Sequence, residues 1–404
     1  MNNIKNRSQK LGDKLFLLGS ILMAVLLPLH KMATTIAFII MLVGFLLAKK
    51  EGSKNREINI ALALLAFFFL LHLVFYFPST YKKFGVNDLR TKLPLLILPS
   101  IILFKAKFDK INLLFQVFVM SCSLVSLGIL FRFLLGYIQG GELLFSERLL
   151  DFSILHPGYL SMYLLFAMVL LFELNTTVLF IKNKSLVPLL IAFFAFILLL
   201  LASRMAIVLA LILLTIFLFR SIAFKYALLS TIVVLCFSAL MVWKLPVLNE
   251  KWLKAKAMLS SESLEVNNYS VDDRIMIWKN AAELIKEKAF RGYNLGDYCY
   301  YHLREKHNVS GFGKGYRQQL NAHNQFLESW LALGLLGFIG LLTIYLFNFY
   351  LAFTWRSQLL FYFLCIVFSF SLIESIFQSQ GGILFFAFFL ALLYRMETKK
   401  LNHE

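Results

Sequence analysis

The chain has 404 residues, 60% of them hydrophobic, 43 of them Phe and only 15% charged, whereas soluble domains are about half apolar and a quarter charged, so a soluble globular protein is excluded. Its net charge of +18 would suggest a nucleic-acid partner in a soluble protein. Here much of that charge falls in short connectors between apolar runs, where retention of Lys and Arg on the inner side of a membrane accounts for it, and no nucleic-acid partner is expected. The four cysteines, Cys122, Cys236, Cys299 and Cys365, have neither the spacing of a disulfide framework nor that of a Cys-x-x-Cys metal site.

In chain order, apolar runs predict spans at 15–30, 33–48, 59–77, 93–104, 112–138, 157–181, 186–202, 205–219, 226–243, 324–353, 358–376 and 381–394. A helix needs about 20 residues to cross the hydrocarbon core, and spanning strands would be half as long and alternating. The expected fold class is therefore all-α, a polytopic membrane protein of about twelve transmembrane helices with one large, partly helical periplasmic loop. The basic N-terminus followed by an apolar run resembles a signal peptide, but no small-residue cleavage pattern follows Leu29-His30-Lys31, and it reads as an uncleaved first span.

With the N-terminus placed in the cytoplasm, every second connector is basic: Lys49, Lys50, Lys54 and Arg56, then Lys105, Lys107 and Lys110, Lys182 and Lys184, Arg220 and Lys225, Arg356, and Arg395, Lys399 and Lys400. That parity puts both termini inside and residues 244–322 outside. The expected organisation is membrane helices over 1–243, a periplasmic loop over 244–322, and the last helices with a cytoplasmic tail over 323–404. One outer connector breaks the rule, because 79–92 carries Lys82, Lys83, Arg90 and Lys92. Either the short fourth span is misplaced or re-entrant, or these cations attract an anionic headgroup. Leu186 to Phe219 would be too long as one helix and is broken by Ser203-Arg204, so it reads as a hairpin with Arg204 at its outer tip.

The polar island at 244–322 holds thirteen Lys or Arg and nine Asp or Glu, and is the part a pure membrane anchor would not need. Within it Ser270-Val271-Asp272-Asp273 reads as a capping box for a helix over 274–289. Trp278, Ala281 and Ile285 follow Arg274 at helical spacing, which sets Arg274 at the head of the apolar stripe, either paired with a nearby acid or gripping phosphate. Arg204, a lone cation between apolar spans, is either a hairpin terminator or a functional charge. His323, where the island meets the next span, suits a general base for a hydroxyl and equally suits an interfacial cap. Glu328, five residues on, is placed to orient or replace it. Gly334, Gly337 and Gly340 suggest close packing of that helix on a neighbour. Asp272-Asp273 lacks further ligands, and no metal is expected. Gly311-Phe312-Gly313-Lys314-Gly315 reads as a flexible loop, and His302 and His307 as solvated surface.

The Ser203-Arg204 hairpin, Asp273-Arg274-x-x-x-Trp278 in a large outer loop, the Gly-rich turn downstream and His323-Asn324 at the start of a late span together resemble the O-antigen ligase and O-antigen polymerase superfamily. The resemblance implies a bacterial inner-membrane glycosyltransferase, without metal or other cofactor, that inverts as it transfers a glycan from undecaprenyl pyrophosphate to a sugar hydroxyl. For ligases that acceptor is lipid A-core. Carried over by motif, Arg204 and Arg274 match arginines expected to bind the pyrophosphate and His323 matches the catalytic histidine, with Arg90, His156 and Glu328 as supporting candidates. Where the family often has a Pro and a Gly-x-Gly turn, this chain has Ala289-Phe290-Arg291-Gly292-Tyr293-Asn294, in which Asn294 tolerates left-handed backbone. Ligase is the first reading, and polymerase or glycan transfer to protein are alternatives within the superfamily. A transporter or flippase of an anionic lipid or solute is the alternative of another class, and it would place ionisable residues deep in several spans.

Overall fold

The computed structural model describes residues 2–30, 32–52, 55–106, 108–140, 149–150, 155–174, 186–244 and 273–401. The capping residues Ser270 to Asp272, the cations Lys31, Lys54, Lys107, Lys182 and Lys184, and the end of the span expected at 157–181 lie outside them.

Among the described residues nine helices come first: α1 (Asn2–Leu29), α2 (Ala33–Leu47), α3 (Arg56–Tyr76), α4 (Lys82–Leu103), α5 (Ile111–Gly140), α6 (Pro157–Glu173), α7 (Leu186–Leu201), α8 (Arg204–Ser221) and α9 (Phe224–Lys244). The island then contributes α10 (Asp273–Glu287), a π-helical turn (Tyr298–Leu303) running into α11 (Arg304–Val309), and α12 (Gly313–Gln318). Last come α13 (Gln325–Thr354), α14 (Gln358–Ser371) and α15 (Gln380–Leu401). Among the described residues there is no strand, only an isolated bridge between Lys50 and Lys105. Among the described residues, six helices are long and apolar enough to cross a membrane, and five shorter apolar helices of 10–17 residues accompany them. The chain is thus an all-helical membrane protein.

Short polar side chains start these helices where the sequence changes character. Asn55 accepts from Ile58 N at 3.0 Å, His156 from Gly158 N at 3.2 Å, and Ser357 from Leu360 N at 3.3 Å, each satisfying a donor that the first helical turn leaves unpaired. The middle stretches of α6 (160–171) and α15 (383–394) are buried on every side, the mark of central helices. Phe166 of α6 meets Phe385 and Phe389 of α15, Phe118 of α5 and Phe363 of α14 with ring centroids 5.0–6.1 Å apart. In a bilayer such interlocking, rather than expulsion of water, holds helices together.

The basic connectors gather at one end of the bundle. Glu51 N donates to Phe104 O, Lys105 pairs with Asp13, Lys399 with Asp109, and the Arg395 guanidinium donates to the carbonyls of Ile102, Leu103 and Ala106. The opposite end carries the island. Asp297 is its anchor, a buried carboxylate that accepts from Ser79 Oγ, Thr80 N and Tyr81 N at 2.8–3.0 Å.

The fourth span differs from expectation. The expected connector at 79–92 is helical from Lys82 onward, because its cations find partners within the protein. Lys82 donates to the Tyr76 and Phe77 carbonyls that end α3, where the helix dipole favours a cation. Lys92 is buried beside Asp88 at 3.6 Å and Gln378 at 3.2 Å. The span expected to reach 376 also stops early, since α14 ends at Ser371 and 372–379 forms an irregular connector with one short turn at Ile376–Gln378.

The glycine series at 334, 337 and 340 does not form one packing stripe. Gly340 lies in ordinary contact range of Phe68 and Leu71 of α3, but Gly334 breaks α13 with φ 65° and ψ −159°, a region essentially restricted to glycine. The turn after α10 crosses the break: Tyr293 N donates to Leu331 O at 2.7 Å, and Trp330 Nε1 donates to Ala289 O at 2.8 Å. Gly292 and Asn294 in that turn have φ of 63° and 65°, so Asn294 does take the left-handed geometry expected of it.

Two loop expectations are also corrected. Gly313–Gln318 is helical rather than a flexible loop, and His307 is fully buried rather than solvated. The reason is shared: the backbone at Gly315 packs against Phe312 and His307, and a Cβ there would meet the Phe312 ring at 2.4 Å. Asn280 of α10 donates to His307 Nδ1 and to Ser310 Oγ, both at 2.8 Å. Burial pushes the His307 pKa down to about 4, and protonation would turn the Nδ1 acceptor into a donor facing Asn280. The unfolded chain takes up that proton near pH 6.5, so this stabilisation is complete above that pH and is lost as pH falls toward 4. The full loss is about 3 kcal/mol. Thermal unfolding followed from pH 7.5 to 4.5 is expected to fall more steeply for the wild type than for His307→Gln.

Candidate active site

Four segments converge at the island end, and elementary helix geometry explains why. On α10, Arg274 and Trp278 are four residues apart and share a face. Arg274 Nη2 donates to Glu374 Oε1 at 2.5 Å, and Trp278 Nε1 donates to Ala322 O at 3.0 Å. The two therefore grip the structure on either side of His323.

His323 itself is rigidly set. Its φ of 42° is left-handed, a conformation uncommon outside glycine and costly unless its surroundings enforce it. Its N–H donates to Asn321 Oδ1 at 3.1 Å, while the preceding Ala322 N–H donates to Glu328 Oε2 at 2.8 Å. Asn324 then caps α13, accepting from Phe326 N and Leu327 N and donating through Nδ2 to Leu372 O. The imidazole Nδ1 lies 3.0 Å from Glu374 Oε2.

Glu374 thus stands between Arg274 and His323, with one carboxylate oxygen on each. Its side chain is only 13% exposed. Burial acts to raise its pKa, but the hydrogen bond from His323 and the charges of Arg274, His323 and His156 outweigh that and hold it below the ordinary value. A carboxylate can only accept, so Nδ1 carries the hydrogen and Nε2 is left as the basic nitrogen of His323.

The expected site residues separate into groups. Arg274 and His323 are brought together through Glu374. His156, the cap of α6, lies close enough for its charge to act on Glu374. Arg204 opens α8, at a turn where Ala202 takes φ 51°, so the expected hairpin is present. Arg220 at the far end of α8 pairs with Glu173 at the far end of α6, so the two helices run the same way and Arg204 shares the His156 end. Glu328 does not touch His323. It is buried and accepts from Tyr298 Oη at 2.6 Å and Ser375 Oγ at 3.1 Å besides Ala322 N, so it fixes backbone beside His323 instead of orienting the ring. Arg90 is exposed on the other side of α4, lining a cavity with Thr35, Phe38 and Gln380.

Sequence reading missed Glu374, which fell inside the span expected at 358–376. A signal was present, since a lone carboxylate in an apolar run is expensive and usually functional.

A bundle of apolar helices with a guanidinium, a carboxylate and an imidazole joined at one end defines a membrane protein with a charged site at the edge of its helical core. Residues 189–342 match the family model described as O-antigen ligase. Over that segment the chain is similar to the O-antigen ligase and polymerase superfamily, whose members are glycosyltransferase-like enzymes. The match runs from α7 into α13 and takes in Arg204, Arg274, Trp278, His323 and Glu328, while Glu374 and His156 lie outside it. No curated protein matches the chain.

Proposed function

We propose that this protein is an O-antigen ligase of the bacterial inner membrane, transferring a polysaccharide from undecaprenyl pyrophosphate to a sugar hydroxyl of lipid A-core. The observation that carries the reading is the single Glu374 carboxylate bonded to both Arg274 and His323. It sets a phosphate-binding cation and a base with a defined tautomer side by side. Both termini are cytoplasmic in this reading and the site faces the periplasm, in keeping with the basic connectors gathered at the other end of the bundle.

In the reaction, the acceptor oxygen attacks the anomeric carbon from the face opposite the leaving group, and the bond from that carbon to the pyrophosphate oxygen breaks. The configuration inverts. The acceptor proton passes to Nε2 of His323, and the electron pair of the broken bond leaves with undecaprenyl pyrophosphate. Charge building on that group is stabilised by Arg274, with Arg204 as a second cation at the same end. Because Glu374 stays ionised, it stabilises the imidazolium as it forms, the role a carboxylate plays behind histidine in many transferases and hydrolases.

The test is the lipopolysaccharide profile of a strain lacking the gene, with carrier-linked glycan assayed alongside. Bare lipid A-core with long polymer stranded on the carrier is the expected result. Core bearing one repeat unit would assign the polymerase reaction instead, and an unchanged profile with no stranded glycan would overturn the reading.

A further inference from the structure

Against Glu328 lies a cavity of about 240 Å³ between the first turns of α4 and the segment from Gly296 to Asn321. Its polar lining is Asn87, Asp88, Gln319, Asn321, Glu328 and Gln378. Three aromatic residues complete it, Phe84, Tyr298 and Tyr300, of which Phe84 and Tyr300 are stacked with centroids 3.7 Å apart and an interplanar angle of 22°. Tyr81 braces the stack from the side, 4.9 Å from Tyr300.

We infer that this cavity is a subsite for a single uncharged sugar ring of a substrate glycan, an inference that rests on the transferase reading above. Flat carboxylate and amide groups offer paired acceptors and donors to neighbouring hydroxyls, and an aromatic face suits the apolar C–H side of a pyranose. The volume falls below the roughly 300–1,000 Å³ of sites that hold drug-sized ligands, which fits one ring rather than an oligosaccharide.

The charges argue against a phosphate here. Asp88 and Glu328 line the cavity, the nearby cation Lys92 is already engaged by Asp88 and Gln378, and no arginine is among the described lining residues. The cavity is therefore suited to a neutral ring and not to the anion. The link to the chemistry is direct, because Asn321 in the lining accepts the His323 N–H and Glu328 in the lining accepts the Ala322 N–H. A ring held there is positioned against the backbone that carries the base.

The experiment uses two rim variants, Asn87→Ala and Gln319→Gly, both at exposed positions. The second suits the left-handed backbone at 319, where φ is 52°. Full-length protein in detergent is assayed for transfer from undecaprenyl-pyrophosphate-linked glycan to core oligosaccharide released from lipopolysaccharide, each varied in turn. Losing one hydrogen-bonding group is expected to raise the KM for one substrate about tenfold while kcat stays within about twofold. A rise for the oligosaccharide alone assigns the ring to the acceptor, and a rise for the lipid-linked glycan alone assigns it to the donor. Active variants with both KM values unchanged would overturn the subsite and leave the transferase reading standing. If the wild type transfers nothing, saturation-transfer NMR with the same oligosaccharide and with glycan released from the carrier lipid decides separately. Ring contacts seen for the wild type and lost in both variants support the subsite, and their absence in the wild type, or their persistence in the variants, overturns it.

Discussion

His323→Ala is expected to lower transfer by about 10²–10⁴-fold, the span general-base catalysis supplies, with little change in the KM for the lipid-linked donor. Glu374→Gln is the more discriminating companion. The amide keeps the size of the side chain but removes the charge that Arg274 and His323 share at 2.5 Å and 3.0 Å. It also supplies an NH₂ group that can turn toward Nδ1 and favour the tautomer with hydrogen on Nε2, the wrong one for a base. A fall in kcat of about 10²-fold or more, with a displaced pH profile, is the expected outcome. A purely structural role for Glu374 would instead lower the amount of folded protein and leave the pH profile of the remainder unchanged. Steady-state kinetics across pH on the purified variants separates the two. Wild-type rates in both variants would remove His323 and Glu374 from the mechanism.

Gly334→Ala is expected to cause a large loss of stability. A Cβ at 334 would lie 2.2 Å from the Phe290 carbonyl oxygen, a backbone atom that cannot swing aside, and the residue already has φ 65°. Backbone strain of about 1–3 kcal/mol and overpacking of a similar size combine to roughly 2–6 kcal/mol. The damage does not stay local. The turn at 289–294 docks on the broken helix through Tyr293 and Trp330, and α10 leads directly into that turn. Dislodging it moves Arg274 and Trp278, and with them the clamp on Ala322 and Glu374. A lowered thermal midpoint in detergent, with faster proteolysis between 287 and 300, is the measurement. A midpoint within about 1 °C of the wild type would show that the turn is not held by this contact.

The site carries its charge in a way the transporter reading does not require. Arg274, Glu374 and His323 gather at one end of the bundle, on the island and on connectors, with Arg204 at the head of α8. Two of the polar groups buried farther along the helices are engaged there: Asn348 bonds Ile344 O and Tyr394, and His72 bonds Phe68 O. The Asn348–Tyr394 bond joins α13 to α15, while the other two stay within one helix.

What the sequence determined by itself is what short-range periodicity and solvation decide. Runs of apolar residues dictate helices in a membrane, Asn55, Ser357 and Asn324 dictate where three of them begin, and Ser203-Arg204 interrupts a stretch too long to be one helix. The spacing of Arg274 and Trp278 on one turn pair, and the place of His323 at the mouth of a helix, were equally legible, since both follow from counting along the chain.

Tertiary structure alone decided which partners those residues meet. Glu374 lies 51 positions from His323 and 100 from Arg274, and no local pattern announces that an acid in an apolar run leaves its helix to join them. Glu328 was visible as a carboxylate near His323, yet packing turned it toward Tyr298 and backbone. The extra turns of α4 depended on Lys82 finding the carbonyls that end α3 and on Lys92 finding Gln378 besides Asp88 of its own helix, and the burial of His307 on Asn280 and Phe312 closing over it. Where such a polar group is met by a partner distant in sequence, as Lys92 by Gln378 and His307 by Asn280, only folding brings that partner near.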